Sequence, residues 1–116
     1  MVKINLIVIK TNAIAIIKQQ YEALGIVFDY HNHNNGPFHY AATLDGLVFE
    51  IYPLPNNTTQ PDTTLRLGFE VPHLEETLQK LALSHWKIIK EIALTSYGKT
   101  VIIEDYDGRK VELKQQ

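Results

Sequence analysis

Two stretches of the chain carry nearly the same phrase, Asp45-Gly46-Leu47-Val48-Phe49-Glu50-Ile51 and Asp107-Gly108-Arg109-Lys110-Val111-Glu112-Leu113. Each is a turn dipeptide, two free positions, then apolar-Glu-apolar. Both the Asp and the Glu recur at an offset of 62, from 45 to 107 and from 50 to 112, in a chain of 116 residues. A repeat at half the chain length implies two copies of one supersecondary unit, since a single copy could not cover its own apolar face. It also places one carboxylate at the same structural point in each copy.

The hydrophobic pattern gives the unit its content. Ile4, Leu6 and Val8 alternate with Asn5, Ile7 and Ile9, a β-branched run that reads as a strand. Asn12 stands as an N-cap, Ile14, Ile17, Tyr21 and Leu24 recur at helical steps, and Gly25 supplies the stop. Strands follow at about Ile26–His33, Phe38–Thr43 and Leu47–Tyr52, separated by Asn34-Asn35-Gly36-Pro37 and Asp45-Gly46. The proline-rich stretch Pro53–Thr63 reads as a linker. Beyond it, a strand at Leu65–Val71, a helix marked by Leu74, Leu78 and Leu81 with Glu75 and Glu76 in its first turn, and strands at about Trp86–Ile92, Thr100–Glu104 and Arg109–Lys114 repeat the order. The predicted fold is α+β: two βαβββ modules, about residues 1–53 and 64–116 joined by a linker at about 54–63, whose mixed sheets curl around a shared cleft within one domain.

Charge and cysteine content narrow the function. A formal net charge of −2 with no basic block argues against nucleic acid or an anionic membrane as partner. With no cysteine there is no disulfide, no thiolate zinc site and no thiol nucleophile. The first apolar run ends at Lys10, too short to span a bilayer. A cytoplasmic protein that binds a small molecule, and associates as a homodimer, is the expectation.

Period-2 alternation sends Phe49, Ile51, Val111 and Leu113 to the helix side and Glu50 and Glu112 to the opposite face. If Asp45-Gly46 closes a two-residue hairpin, Ala41 stands opposite Glu50 and His39 opposite Tyr52, so His39 shares the face of Glu50. Asn5 and Ile7, and Arg66 and Gly68, are expected to turn inward with the glutamates. Arg66 is then placed to balance two carboxylates in a partly dehydrated cup, its guanidinium substituting for a metal's charge.

The paired βαβββ units, Ala23-Leu24-Gly25 ending the first helix and the run from Asp105 to Leu113 resemble the vicinal oxygen chelate superfamily of glyoxalases, bleomycin-resistance proteins and extradiol dioxygenases. The stretch Gly36–Ala42, with Leu44–Pro53 and Leu65–Pro72, is similar to an uncharacterised bacterial glyoxalase-like subfamily. The resemblance implies a cleft with ligand positions in the first and last strand of each unit, here Asn5, Glu50, Arg66 and Glu112. Histidine is common at two of these positions, and asparagine and arginine stand there instead. The implied cofactor is therefore none, or a divalent metal held by Glu50 and Glu112.

Two functions follow from these residues. One is lyase or isomerase chemistry of the lactoylglutathione lyase type, with Glu50, Glu112 and His39 as catalytic groups and Asn5, Arg66, Tyr52 and Tyr97 binding the ligand. The other is a non-catalytic protein that sequesters a small molecule or antibiotic. Extradiol ring cleavage is disfavoured by the missing histidines. His31 and His33 read as the exposed end of a hairpin rather than as a metal pair.

Overall fold

The computed structural model describes residues 1–55 and 60–116. In chain order the elements are β1 (Leu6–Thr11), α1 (Ile14–Glu22), β2 (Asp29–His31), β3 (His39–Leu44), β4 (Leu47–Pro53), β5 (Leu67–Val71), α2 (Leu74–Leu81), β6 (Lys87–Thr95), β7 (Gly98–Glu104) and β8 (Lys110–Gln115). They build two four-stranded mixed sheets, β1-β4-β3-β2 and β5-β8-β7-β6. In each, the first and last strands of the unit run parallel and the rest are antiparallel. This is the βαβββ order expected twice over. Part of the expected linker, residues 56–59, lies outside the described residues.

Local chemistry accounts for the element ends. α1 buries Ile17 and Tyr21, and Leu24 just past its end continues the stripe, each apolar side chain worth about 1.5–3 kcal/mol when fully removed from water. It stops where Gly25 takes φ 102 and its N–H donates to the Glu22 carbonyl at 2.9 Å. Ala13, not Asn12, occupies the N-cap position, and no side chain caps the helix. The Ala13 N–H instead donates to Thr11 Oγ1 at 3.0 Å. Asp45 (φ 49) and Gly46 (φ 84) form the tight turn between β3 and β4, and the two left-handed residues in succession match the twist of the flanking strands. The register that follows, Leu44 opposite Leu47 and Ala41 opposite Glu50, is the one the dipeptide predicts. The second Asp-Gly pair does not repeat this turn. Asp107-Gly108 lies in a longer connection, Asp105–Arg109, where Asp105 Oδ1 accepts the N–H groups of Asp107, Gly108 and Arg109.

One apolar core serves both halves. Ile9, Ile17, Tyr21, Phe49 and Ile51 from the first join Leu67, Leu74, Val101, Ile103, Val111 and Leu113 from the second. Tyr21 sits at its centre, with ring centroids 5.4 Å from Phe49, 6.1 Å from Phe69 and 5.2 Å from Trp86. Polar bonds bridge the halves beside it: Trp86 Nε1 donates to the Gln20 carbonyl at 2.9 Å, and the Tyr106 N–H to Gln20 Oε1 at 2.7 Å. No helix among the described residues is long and apolar enough to cross a membrane.

Candidate functional site

Alternation along β4 buries Phe49 and Ile51 in the core and leaves Glu50 on the helix-free face. β3 adds His39 to that face, two positions from Ala41, the partner of Glu50. The His39 side chain is fully buried and that of Glu50 is 12 % exposed, with Nε2 and Oε2 3.2 Å apart. The contact is not aligned as a hydrogen bond, and Nε2 has no hydrogen-bond partner. The other ring nitrogen, Nδ1, lies 3.3 Å from the Pro37 carbonyl oxygen. Tyr52 stacks on the imidazole with centroids 4.0 Å apart and planes 9° from parallel. Desolvation, then the Glu50 charge, raises the Tyr52 phenol above its ordinary value.

The remaining expected site residues are not gathered here. In β1 the partner of Glu50 is Val8, so Leu6, Val8 and Lys10 share the carboxylate's face while Ile7 and Ile9 turn toward the helix. Asn5 precedes β1 on the alternation of Ile7, and its carbonyl accepts the Val48 N–H at 2.9 Å. It does not turn inward with Glu50. In β5 the partner of Glu112 is Gly68, so the Arg66 alternation does share that glutamate's face. Arg66 is nevertheless exposed, one residue before the strand, and forms no ion pair among the described residues. The guanidinium bridge between the two carboxylates is therefore absent. Asn5, Glu50, Arg66 and Glu112 do not fit a metal: one points the wrong way, and one is an exposed cation with no lone pair to give. Tyr97 is exposed on the turn between β6 and β7.

Hollows formed by the described residues bear on the site. A shallow depression is lined by Val8, Lys10, Glu50 and Tyr52. A groove of about 600 Å³ runs between the halves, walled by Ile7, Phe49, Leu67 and Phe69 and rimmed by Asp45, Glu70, Glu76 and Lys80. Glu112 lines neither.

Sequence reasoning missed two clusters. The first is His31, His33, His39 and Glu50, whose ligand atoms lie within 4.8 Å of one another. The signal was present: a strand ending at His31 pairs with one starting at His39. The second is Arg109, expected to open the last strand but instead 1 % exposed just before β8. Its Nη1 donates to Asp105 Oδ2 at 3.1 Å and Asp107 Oδ2 at 2.9 Å, and its Nη2 to the Lys10 carbonyl at 2.6 Å. Tyr21 Oη donates to Asp105 Oδ2 at 2.8 Å. The spacing Asp105, Asp107, Arg109 was the cue.

No family model matches the sequence, and no curated protein matches it. Solved structures do. A glyoxalase-related enzyme from Fulvimarina pelagi superposes with a TM-score of 0.77 at 15% identity, over 100% of this chain and 89% of that one. A glyoxalase/bleomycin resistance protein/dioxygenase family enzyme from Burkholderia phytofirmans PsJN gives 0.73 at 13% identity, covering 97% of each chain. TioX from Micromonospora sp. ML1 gives 0.69 at 10% identity, covering 98% of each. The doubled βαβββ order and these superpositions together establish that the chain has the vicinal oxygen chelate fold.

Proposed function

We propose that this chain is a small-molecule-binding protein that holds a largely apolar, cationic ligand in the groove between its halves, without turning it over. The observation that carries this reading is the groove itself: aromatic and aliphatic walls from both halves under a rim that is net acidic. Apolar walls supply affinity and a few rim charges supply orientation, the usual division in ligand sites. The family name of the Burkholderia neighbour places bleomycin resistance protein beside glyoxalase and dioxygenase, so the fold is associated with more than one activity. On this reading the chain acts as one ligand-binding domain, with residues 1–53 and 64–116 each giving one wall, and it works as a homodimer.

The test is calorimetric titration with a hydrophobic cation and its neutral isostere. The cation is expected to bind more tightly, and Glu70→Lys with Glu76→Lys to weaken it by about tenfold, because charge complementarity at a rim sets preference among ligands. Both glutamates are exposed, so the variant is expected to fold. Equal affinity for both ligands, or no effect of the reversal, rejects the reading.

A second reading is favoured by the Glu50 and His39 contact: proton transfer of lyase or isomerase type on the helix-free face, with Glu50 as base. Glu112, on the other sheet, lines no hollow with Glu50 and takes no part in that step on this reading. Turnover of a hemithioacetal that falls with Glu50→Gln would favour this chemistry; turnover that Glu50→Gln leaves intact would exclude it.

A further inference from the structure

The end of the first sheet carries a feature that neither groove binding nor proton transfer uses. Three imidazoles crowd together there, with ring centroids 5.0 Å apart for His31 and His33, 4.5 Å for His31 and His39, and 5.1 Å for His33 and His39. Glu50 completes the group. We propose that His31, His33, His39 and Glu50 form a binding site for a divalent transition-metal ion of the zinc, cobalt or nickel kind. The inference goes beyond the groove-binding function and does not depend on it. It shares only Glu50 with the four ligand positions implied by the fold.

The buried histidine carries the argument. A carbonyl oxygen can only accept, so the contact of His39 Nδ1 with the Pro37 carbonyl puts the ring proton on Nδ1. The Nε2 lone pair then faces a carboxylate oxygen at 3.2 Å, inside a fully buried ring, with no donor to separate the two. Two electron-rich atoms held this way attract a cation. A proton on Nε2 is poorly placed for the role, because the direction to Glu50 is out of line for a hydrogen bond. A metal ion sitting among four donors needs no such alignment with any single pair. A backbone carbonyl that fixes the Nδ1–H tautomer is also the common outer partner of a histidine ligating through Nε2.

The surrounding backbone holds the donors in place. His31 and His39 are directly paired across β2 and β3. His33 is turned back over them by a turn in which its carbonyl accepts the Gly36 N–H at 2.9 Å and Asn34 takes φ 54. Asn32 Nδ2 braces that turn by donating to the Asn34 carbonyl at 3.0 Å. Stacking on Tyr52 fixes the His39 plane. Ligands of a tetrahedral ion with bonds near 2.0–2.1 Å lie roughly 3.3 Å apart. The His39 and Glu50 pair already has that spacing, and the exposed His33 imidazole is free to close the remainder. Three imidazole nitrogens and one carboxylate suit borderline divalent ions rather than calcium or magnesium. The depression beside Glu50 leaves one side open to water or a ligand.

The test uses tag-free protein stripped by chelator and titrated with Zn²⁺ against a chromophoric competitor, and with Co²⁺ followed by its visible spectrum. One ion per chain is expected at this four-residue set. The Co²⁺ bands should report a nitrogen-rich, low-coordinate site. His33→Ala and Glu50→Gln should each weaken binding by more than about 100-fold, since losing a group that merely orients a ligand already costs roughly 10–100-fold. His73→Ala, an exposed histidine elsewhere, should bind as the parent does. Circular dichroism of the metal-free variants checks that they remain folded, and His33, being exposed, supplies a variant whose fold is not at stake. No saturable uptake, or uptake that both variants leave unchanged, overturns the proposal.

Discussion

Among the described residues, the polar groups around buried Arg109 and those around buried His39 differ in how completely their atoms are paired. Around Arg109, the guanidinium meets Asp105, Asp107 and the Lys10 carbonyl, Tyr21 meets Asp105, and three backbone N–H groups fill the second Asp105 oxygen. Of this cluster's solvent-sealed side-chain atoms among the described residues, Arg109 Nε alone lacks a partner. At His39, among the described residues, Nε2 has no hydrogen-bond partner although it lies 3.2 Å from a Glu50 carboxylate oxygen, and Glu50 forms no ion pair with lysine or arginine. The first cluster has the make-up of a structural rivet between halves. The second is an unbalanced site of the sort that pairs with something from outside.

The largest effect that would break this contrast is at the rivet. Arg109→Ala leaves two carboxylates facing each other without their cation, and urea denaturation should show a loss of about 3–5 kcal/mol. A loss below about 1 kcal/mol, the value of an exposed pair, would mean that the rivet is not buried in solution. Tyr21→Phe removes one bond to a charged oxygen and should cost about 1.5–3 kcal/mol. It also carries a pH signature. Burial first, and the Asp105 carboxylate next, hold the Tyr21 phenol well above its ordinary value of 10.0. Its contribution is therefore intact below about pH 10, where the phenol is neutral in both states, and is lost as pH rises toward the folded-state value, because the unfolded chain ionises first. The alkaline limb of a stability profile should be shallower in Tyr21→Phe.

Smaller effects sharpen the other side. In metal-free protein, Glu50→Gln removes the negative charge that faces His39 Nε2, and melting should show stability unchanged or raised by up to about 1 kcal/mol. A clear loss would mean that His39 carries a proton and bonds Glu50. His33→Ala, at an exposed turn, should move metal-free stability by less than about 0.5 kcal/mol.

What was legible in the sequence was whatever a local device fixes. Asp45-Gly46 sets the hairpin, the hairpin sets the partner of Glu50, and the face of His39 follows by counting. The pairing of first and last strands has no such device, because a helix and two strands intervene. Asn5 to Glu50 and Arg66 to Glu112 look equivalent in spacing, yet the true partners are Val8 with Glu50 and Gly68 with Glu112. Asn5 therefore fell on the wrong alternation. His33 is exposed, as expected of a hairpin end, but β2 is only three residues long, so the chain turns back after His31 and brings the His33 ring beside those of His31 and His39, which counting along a strand does not foresee. Arg109 was hidden by the repeat itself. The shared Asp-Gly suggested a second tight turn, and the intervening loop that buries the arginine has no counterpart in the first copy.

The bonds that Tyr21, Gln20 and the Lys10 carbonyl make to Asp105, Trp86, Tyr106 and Arg109 have a consequence for the halves taken apart. None of them passes through the covalent joint, whose contribution is to keep the complementary pieces at high mutual concentration. A polypeptide severed near that joint should yield fragments that are ill-formed apart and reassemble when mixed. By the same logic a single βαβββ copy produced alone leaves its side of these polar pairs unmet and should associate with a second copy rather than stand as a folded monomer.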